Sequence, residues 1–86
     1  MAKRRSSLKI YIDVLRTIRG GEKIPTRIMF RTNVSWVPLM KMLEYLISQD
    51  LVRRKEESKR RRYVITEKGK KALTYFNEVT RLTRVE

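Results

Sequence analysis

The chain contains no cysteine and no histidine. It therefore forms no disulfide, offers no thiolate ligand to a metal, and lacks the side chain that most often serves as general base or metal ligand. The nine acidic residues are scattered, with no pair at the spacing of an acid–base or metal site, and no glycine-rich phosphate loop is present. We predict that the protein is not an enzyme and binds no metal or cofactor.

Long apolar runs are also missing. No uncharged segment approaches the roughly 18 apolar residues of a membrane span. The basic N-terminus is followed by Lys9 and Asp13, which interrupt the apolar stretch that a signal peptide needs. The sequence therefore predicts a soluble, cytoplasmic protein.

Positive charge is abundant. The 86 residues include 22 Lys and Arg against nine acids, which gives a formal charge of +13. Such an imbalance costs self-repulsion, and a polyanionic partner relieves it. A chain of this length forms one small domain with one modest core. We therefore predict a basic N-terminal arm at residues 1–7 and a single polyanion-binding domain at residues 8–86.

The stretch after Asn33 contains the clearest helical pattern. Ser35 lies just before it, where its hydroxyl can accept a hydrogen bond from a first-turn N–H. Pro38 would be the third helical residue, whose N–H has no intrahelical partner to lose. We predict a helix from Trp36 to about Gln49. Its core face has three- and four-residue spacing and comprises Trp36, Leu39, Leu43, Leu46 and Ile47.

Two shorter helices precede this one. The first follows a cap at Ser6 or Ser7 and ends at Gly20-Gly21, where a residue free to become left-handed terminates it. The second runs from Thr26 to Arg31. Asn33 lies in the turn that follows and tolerates a left-handed conformation best there. Two helices joined by so short a turn form a helix-turn-helix.

A hairpin is predicted after the third helix. The segments Leu51–Glu56 and Arg61–Thr66 alternate in character on both sides of a polar centre, which is typical of paired strands. The centre lacks the Asn-Gly or Asp-Gly of a tight turn, so we expect a longer and looser loop at Glu56–Arg60. Thr66 then caps a last helix from Glu67 to about Arg84.

This order of elements is that of a winged helix-turn-helix domain, which is an α+β fold. From about Leu8 to Leu82 the chain resembles the small archaeal winged-helix DNA-binding proteins, a family that includes transcription regulators and dimeric chromatin proteins. The segments that carry the resemblance are Pro25–Met29, Asn33–Trp36, Leu43–Ile47, Leu51-Val52 and Tyr63–Gly69. The resemblance implies a protein that binds double-stranded DNA.

The expected DNA interface has two main parts. The helix from Trp36 to Gln49 enters the major groove, and the basic wing at residues 53–62 lies along the phosphate backbone. Seven cations against two acids in the wing favour nucleic acid over a merely solvated surface. The residues assigned to DNA binding are Arg27, Arg31, Ser35, Val37, Pro38, Lys41, Tyr45, Arg53, Arg54, Lys59, Arg60, Arg61 and Arg62.

A homodimer is expected as well. Apolar positions beyond what one small core needs occur on the first and last helices, and they are Ile10, Val14, Tyr75, Val79 and Leu82. We rank a transcription regulator above an architectural chromatin protein, and we expect the protein to be associated with the nucleoid. Two other functions stay open, namely a protein-interaction module whose wing docks on an acidic partner, and RNA binding.

Overall fold

Four helices and one antiparallel hairpin make up the fold in a computed structural model that describes residues 6–83. In chain order the elements are α1 (Ser7–Arg19), α2 (Pro25–Thr32), α3 (Trp36–Ser48), β1 (Val52–Glu57), β2 (Arg60–Ile65) and α4 (Glu67–Thr83). The order of the four helices and the hairpin is as predicted. Of the predicted arm, positions 1–5 lie outside the described residues, and Ser6 and Ser7 form the start of α1. Within residues 6–83, no helix has both the length and the apolar character that crossing a bilayer requires.

Local signals set the ends of the first two helices. The Ser6 side chain accepts a hydrogen bond from the Lys9 N–H at 3.1 Å and so caps α1. Gly21 has a φ of 107°, a conformation that glycine adopts freely, and it terminates that helix. Asn33 closes α2 with a φ of 56° and confirms the prediction of a left-handed residue in the turn.

The hydrophobic core lies where the first three helices meet the base of the hairpin and α4. Helix α3 contributes Leu39, Leu43 and Leu46, which are buried as predicted. The other buried members are Ile12, Val14, Leu15, Ile18, Ile28, Val34, Val52, Tyr63 and Leu73. Burying one large aliphatic side chain contributes about 1.5–3 kcal/mol, so this cluster fixes α3 and the hairpin against α1.

The burial of Val14 shows that one prediction was wrong. It was assigned to a dimer interface, but its side chain is 0% exposed and belongs to the core of the protomer. Helix α1 packs against α2 on one side and against β2 and α4 on another, so a wide arc of it is buried. At 3.6 residues per turn this arc spans roughly 160°, from Val14 to Ile12. Val14 therefore has no surface to offer a partner.

The exposure of Trp36 shows that a second prediction was wrong. It has the spacing of a core residue, yet it is 43% exposed. Trp36 is the first residue of α3 and lies one turn beyond Leu39, at the edge of the packed region. The turn residue Val34 is buried there instead. The periodicity indicated the correct face of the helix but not where the core ends along it.

The tip of the hairpin also differs from the prediction. Pairing continues to Glu57 opposite Arg60, which leaves a two-residue turn at Ser58-Lys59 in place of a loose loop. Both turn residues have positive φ, 51° and 63°, as a type I′ turn requires. That turn matches the right-handed twist of two strands, and the continued pairing places opposite charges across from one another at the tip.

Thr66 and Gly69 join the hairpin to α4. The Thr66 hydroxyl donates to the Asp50 carbonyl oxygen at 2.6 Å and accepts from the Gly69 N–H at 3.0 Å, which confirms Thr66 as the cap of α4. The Thr66 N–H donates to the Leu51 carbonyl oxygen at 3.1 Å. A Cβ atom on Gly69 would lie only 2.2 Å from that same Leu51 oxygen. The first turn of α4 therefore packs directly on the backbone at the base of the wing.

Candidate nucleic-acid interface

The side of α3 opposite the core carries one continuous row of exposed residues. Its members are spaced by four, three and four positions, so they align along the helix axis. They are Val37, Lys41, Glu44 and Ser48, and we call this row the outer line of α3. Lys41 and Val37 were predicted for this surface, whereas Glu44 and Ser48 were not assigned to the site.

Three other predicted contacts on α3 lie around this line. Ser35 is the exposed N-cap residue, but its side chain makes no capping hydrogen bond, contrary to the prediction. Pro38 is exposed in the first turn of the helix. The Tyr45 ring packs against Tyr11 of α1, with ring centroids 5.4 Å apart and planes tilted by 57°. Tyr45 is thus turned toward α1 and away from the outer line.

Strand pairing separates the wing cations onto two faces. Val52 and Tyr63 are buried, so the face that they share is the inner face of the hairpin. Arg54 and Arg61 belong to this inner face because side chains alternate along a strand. The opposite face, which we call the outer face of the wing, contains Arg53, Lys55, Glu57, Arg60, Arg62 and Val64. Lys59 occupies the turn.

The outer face of the wing places one pair of like charges directly opposite each other. Lys55 pairs with Arg62 across the strands, and Arg53 lies two residues before Lys55 on the same face. Like charges in this arrangement destabilise a hairpin. Within residues 6–83 none of these three cations forms an ion pair with a carboxylate. Lys55 was absent from the predicted contacts, although the alternation of the strand indicates its position.

Two predicted cations are paired with acids. Arg54 Nη1 lies 3.5 Å from Glu44 Oε1 and links the inner face of the wing to α3. Arg31 Nε lies 3.2 Å from Glu22 Oε2, beside the start of α2. Arg27 is exposed on the same helix without an ion pair to any described residue. Arg27 is therefore the freer of the two predicted contacts on α2.

An exposed aromatic side chain near this surface was missed. Phe30 is 77% exposed, on the side of α2 opposite the buried Ile28. Together with the partly exposed Trp36, it places two aromatic rings at the surface of the helix-turn-helix. A helical pattern around Ile28 shows that Phe30 points outward, so the sequence contained this signal.

The predicted dimer residues divide into buried and exposed groups. Tyr75, Val79 and Leu82 are 77%, 44% and 79% exposed and form a row on the outside of α4. Ile10 is partly buried against the core, and Val14 is inaccessible. An open apolar groove of about 480 Å³ lies between α1, α3 and α4, and its lining includes Leu8, Tyr11, Leu15, Tyr45, Ala72 and Phe76. The apolar surface of α4 thus continues into this groove.

The fold and its basic surface define a winged helix-turn-helix protein. Residues 4–84 match a model of the family described as winged helix-turn-helix, and the chain belongs to that family. The predicted fold class and the predicted resemblance to archaeal winged-helix proteins are both confirmed.

Relatives and solved structures agree with this assignment. Uncharacterized protein MJ0287 of Methanocaldococcus jannaschii is 32% identical over 76 residues, which cover 88% of this chain and 74% of that protein. Uncharacterized protein MJ0290 of the same organism is 27% identical, and the chain spans 36% of its length. Sso10a-2, a DNA-binding protein from Sulfolobus solfataricus, superposes with a TM-score of 0.80 at 30% identity. The match covers 93% of this chain and 83% of the Sso10a-2 chain. BldR, a transcriptional regulator from Sulfolobus solfataricus, superposes with a TM-score of 0.76 at 25% identity. The match covers 84% of this chain and 54% of the BldR chain.

Proposed function

We propose that this protein binds double-stranded DNA as a transcription regulator, with the outer line of α3 in the major groove and the wing along the flanking phosphates. Membership of the winged helix-turn-helix family supports this function. Two structurally similar archaeal proteins are a DNA-binding protein and a transcriptional regulator. A place on the nucleoid in the cytoplasm follows from the same proposal.

The observation that carries the proposal is the uncompensated charge on the outer face of the wing. Arg53, Lys55 and Arg62 lie close together there, and no described carboxylate pairs with them. In the free protein the mutual repulsion of these three cations is not offset. Phosphates on neighbouring nucleotides would neutralise their charges, and counterions would be released from the DNA. An acidic protein would also supply negative charge, but the family match and the similarity to a DNA-binding protein favour a duplex as the partner.

The dimensions of α3 suit a major groove. An α-helix with its side chains is about 10–12 Å in diameter, and the major groove of B-DNA, about 12 Å wide, admits it. Lys41 lies near the middle of the outer line and faces base edges or nearby phosphates. Ser35 and Val37 lie toward the N-terminal end of the helix, and Arg27 and Arg31 on α2 reach the backbone beside it.

The test is a selection of binding sites from random duplexes at physiological salt, followed by gel shifts on the enriched sequences. A regulator enriches a defined motif that binds well above random duplex. Tight binding without any enriched motif would instead favour the architectural function. Absence of duplex binding, with retention of an acidic polypeptide or of RNA, would overturn the proposal.

Lys41 provides the first test of the α3 contact. Lys41→Ala should weaken duplex binding by roughly 1 kcal/mol, about fivefold, because it removes a central contact of the outer line. Its melting temperature should stay unchanged because Lys41 is exposed and makes no described ion pair. Lys71→Ala on α4 removes the same charge away from α3 and serves as the matched control. Equal losses in the two variants would show that Lys41 contributes only net charge.

We further propose that the protein acts as a homodimer joined through α4 and the neighbouring surface of α1. The row Tyr75, Val79 and Leu82 is apolar and exposed, and the exposed Leu8 of α1 lines the groove beside α4, whereas the predicted Ile10 does not. Helix α4 has 17 residues and spans roughly 26 Å. Two copies on a two-fold axis would double the phosphate contacts, since each protomer presents one α3 and one wing.

Val79→Glu combined with Leu82→Glu should convert the dimer to a monomer, because it places unpaired charges in the proposed dimer interface. Sedimentation velocity at micromolar concentration measures this change. Thr74→Glu with Arg81→Gln changes the net charge equally but lies to the side of the row, and this control should stay dimeric. A wild type that sediments as a monomer without DNA would refute the dimer, as would a fully dimeric Val79 and Leu82 variant.

A further inference from the structure

Glu44 is the one acidic residue of α3, and it lies on the surface that the proposed function directs into the major groove. It follows Lys41 by three positions and precedes Ser48 by four, which places it in the outer line. Its side chain is 63% exposed. A carboxylate at this position enters the negative potential of the phosphates and would oppose binding unless it meets a hydrogen-bond donor.

The contacts of Glu44 within the protein do not use both of its oxygens. Oε1 lies 3.5 Å from Arg54 Nη1, which is a long contact between two exposed side chains. Such pairs contribute little to stability. Oε2 has no hydrogen-bond partner among residues 6–83, so one strong acceptor on the outer line is unused.

We infer that Glu44 selects a base, by accepting a hydrogen bond at Oε2 from the N4 amino group of a cytosine. This inference rests on the proposed function and adds a specificity-determining residue to it. The major groove offers amino donors only on cytosine and adenine. Adenine presents its N7 acceptor beside the amino group, and that lone pair repels a carboxylate, whereas cytosine presents no acceptor there. The favoured base is therefore cytosine.

Arg54 is a positioning residue in this scheme. It lies on the inner face of the wing with Nη1 3.5 Å from Oε1 of Glu44, so its positive charge offsets part of the negative charge of the carboxylate.

The experiment is site selection and competition binding with wild type, Glu44→Gln and Glu67→Gln. Wild type should require cytosine at one position of its motif, where any other base weakens binding on the order of tenfold. Glu44→Gln should move the preference at that position to adenine, because a glutamine amide pairs with both N6 and N7 of adenine. Glu67 is also an exposed carboxylate beside a cation, 3.1 Å from Lys70, but it lies on α4. Its variant should keep the wild-type motif.

If Glu44 had only a structural role, Glu44→Gln would change the melting temperature and leave the base preference as it is in wild type. The base preference is therefore the decisive measurement. Arg54→Gln should weaken the preference for cytosine at the same position of the motif, without changing the preferred base to adenine. An unchanged motif in Glu44→Gln, or a wild-type motif with no cytosine position that depends on Glu44, would overturn the inference and leave the proposed function intact. If wild type binds no duplex, the proposed function and the inference both fail.

Discussion

Replacing Arg53, Lys55 and Arg62 together by alanine is expected to weaken duplex binding about a hundredfold, since each charged contact with a phosphate contributes about 1 kcal/mol or more. The slope of log K against log salt should also become less negative by about 2.7, because three phosphates are no longer neutralised and each accounts for about 0.9. Fluorescence anisotropy of a labelled duplex across a salt series measures both quantities.

The variant should fold normally. Its three side chains lie on the outer face of the wing, and removing Lys55 or Arg62 relieves the like-charge pair between them. The matched control replaces Lys70, Lys71 and Arg81 of α4 by alanine, which removes the same charge from another surface. The wing's assigned role would be contradicted by an unchanged salt slope, or by a control that loses as much affinity as the wing variant.

Gly69→Ala is expected to destabilise the protein by about 2–3 kcal/mol, the upper part of the range for overpacking. The added Cβ would lie 2.2 Å from the Leu51 carbonyl oxygen and 2.7 Å from Ile65 Cγ1. The Leu51 oxygen also accepts from the Thr66 N–H, so it cannot move without disturbing the base of the wing. Chemical denaturation measures the loss.

Gly20→Ala provides the comparison for Gly69. A Cβ at Gly20 meets its nearest atom at 3.4 Å, and the residue has an ordinary helical φ of −70°. Its substitution should therefore be neutral or slightly stabilising. Similar free energies of unfolding for the two variants would show that the close approach at Gly69 is not rigid.

The helices and the helix-turn-helix were predictable because local residues determine them. The spacing of Leu39, Leu43 and Leu46 predicted a helix from Trp36 to about Gln49, and α3 is Trp36–Ser48. The cap at Thr66 and the left-handed Asn33 followed from what their side chains and backbone tolerate. These features depend on contacts within a few residues along the chain.

The errors concern features set by distant contacts. Val14 is buried because α1 is covered from several sides, which no periodicity within α1 reveals. The tight turn at Ser58-Lys59 depends on the pairing of two whole strands and not on the turn residues alone. Tyr45 is a different case. Its packing on Tyr11 also depends on a distant contact, but its assignment to DNA stays a prediction.

The surface between wing and α3 was only partly predictable. The charge run at residues 53–62 indicated a cationic hairpin, but register decides which cations share a face, and the register places Lys55 opposite Arg62. The link between Arg54 and Glu44 joins residues ten positions apart on different elements. The sequence alone therefore indicated the kind of partner more firmly than the individual contacts.

The proposed DNA interface is tested most directly by the change in backbone amide chemical shifts when a duplex is added to isotopically labelled protein. We predict that the largest changes fall on the outer line of α3 and on the outer face of the wing, including Lys41, Lys55 and Arg62, with small changes along the exposed row of α4. Changes confined to α4 and the groove beside α1 would contradict this interface. The same contradiction would follow if an acidic polypeptide reproduced the wing changes while a duplex produced none.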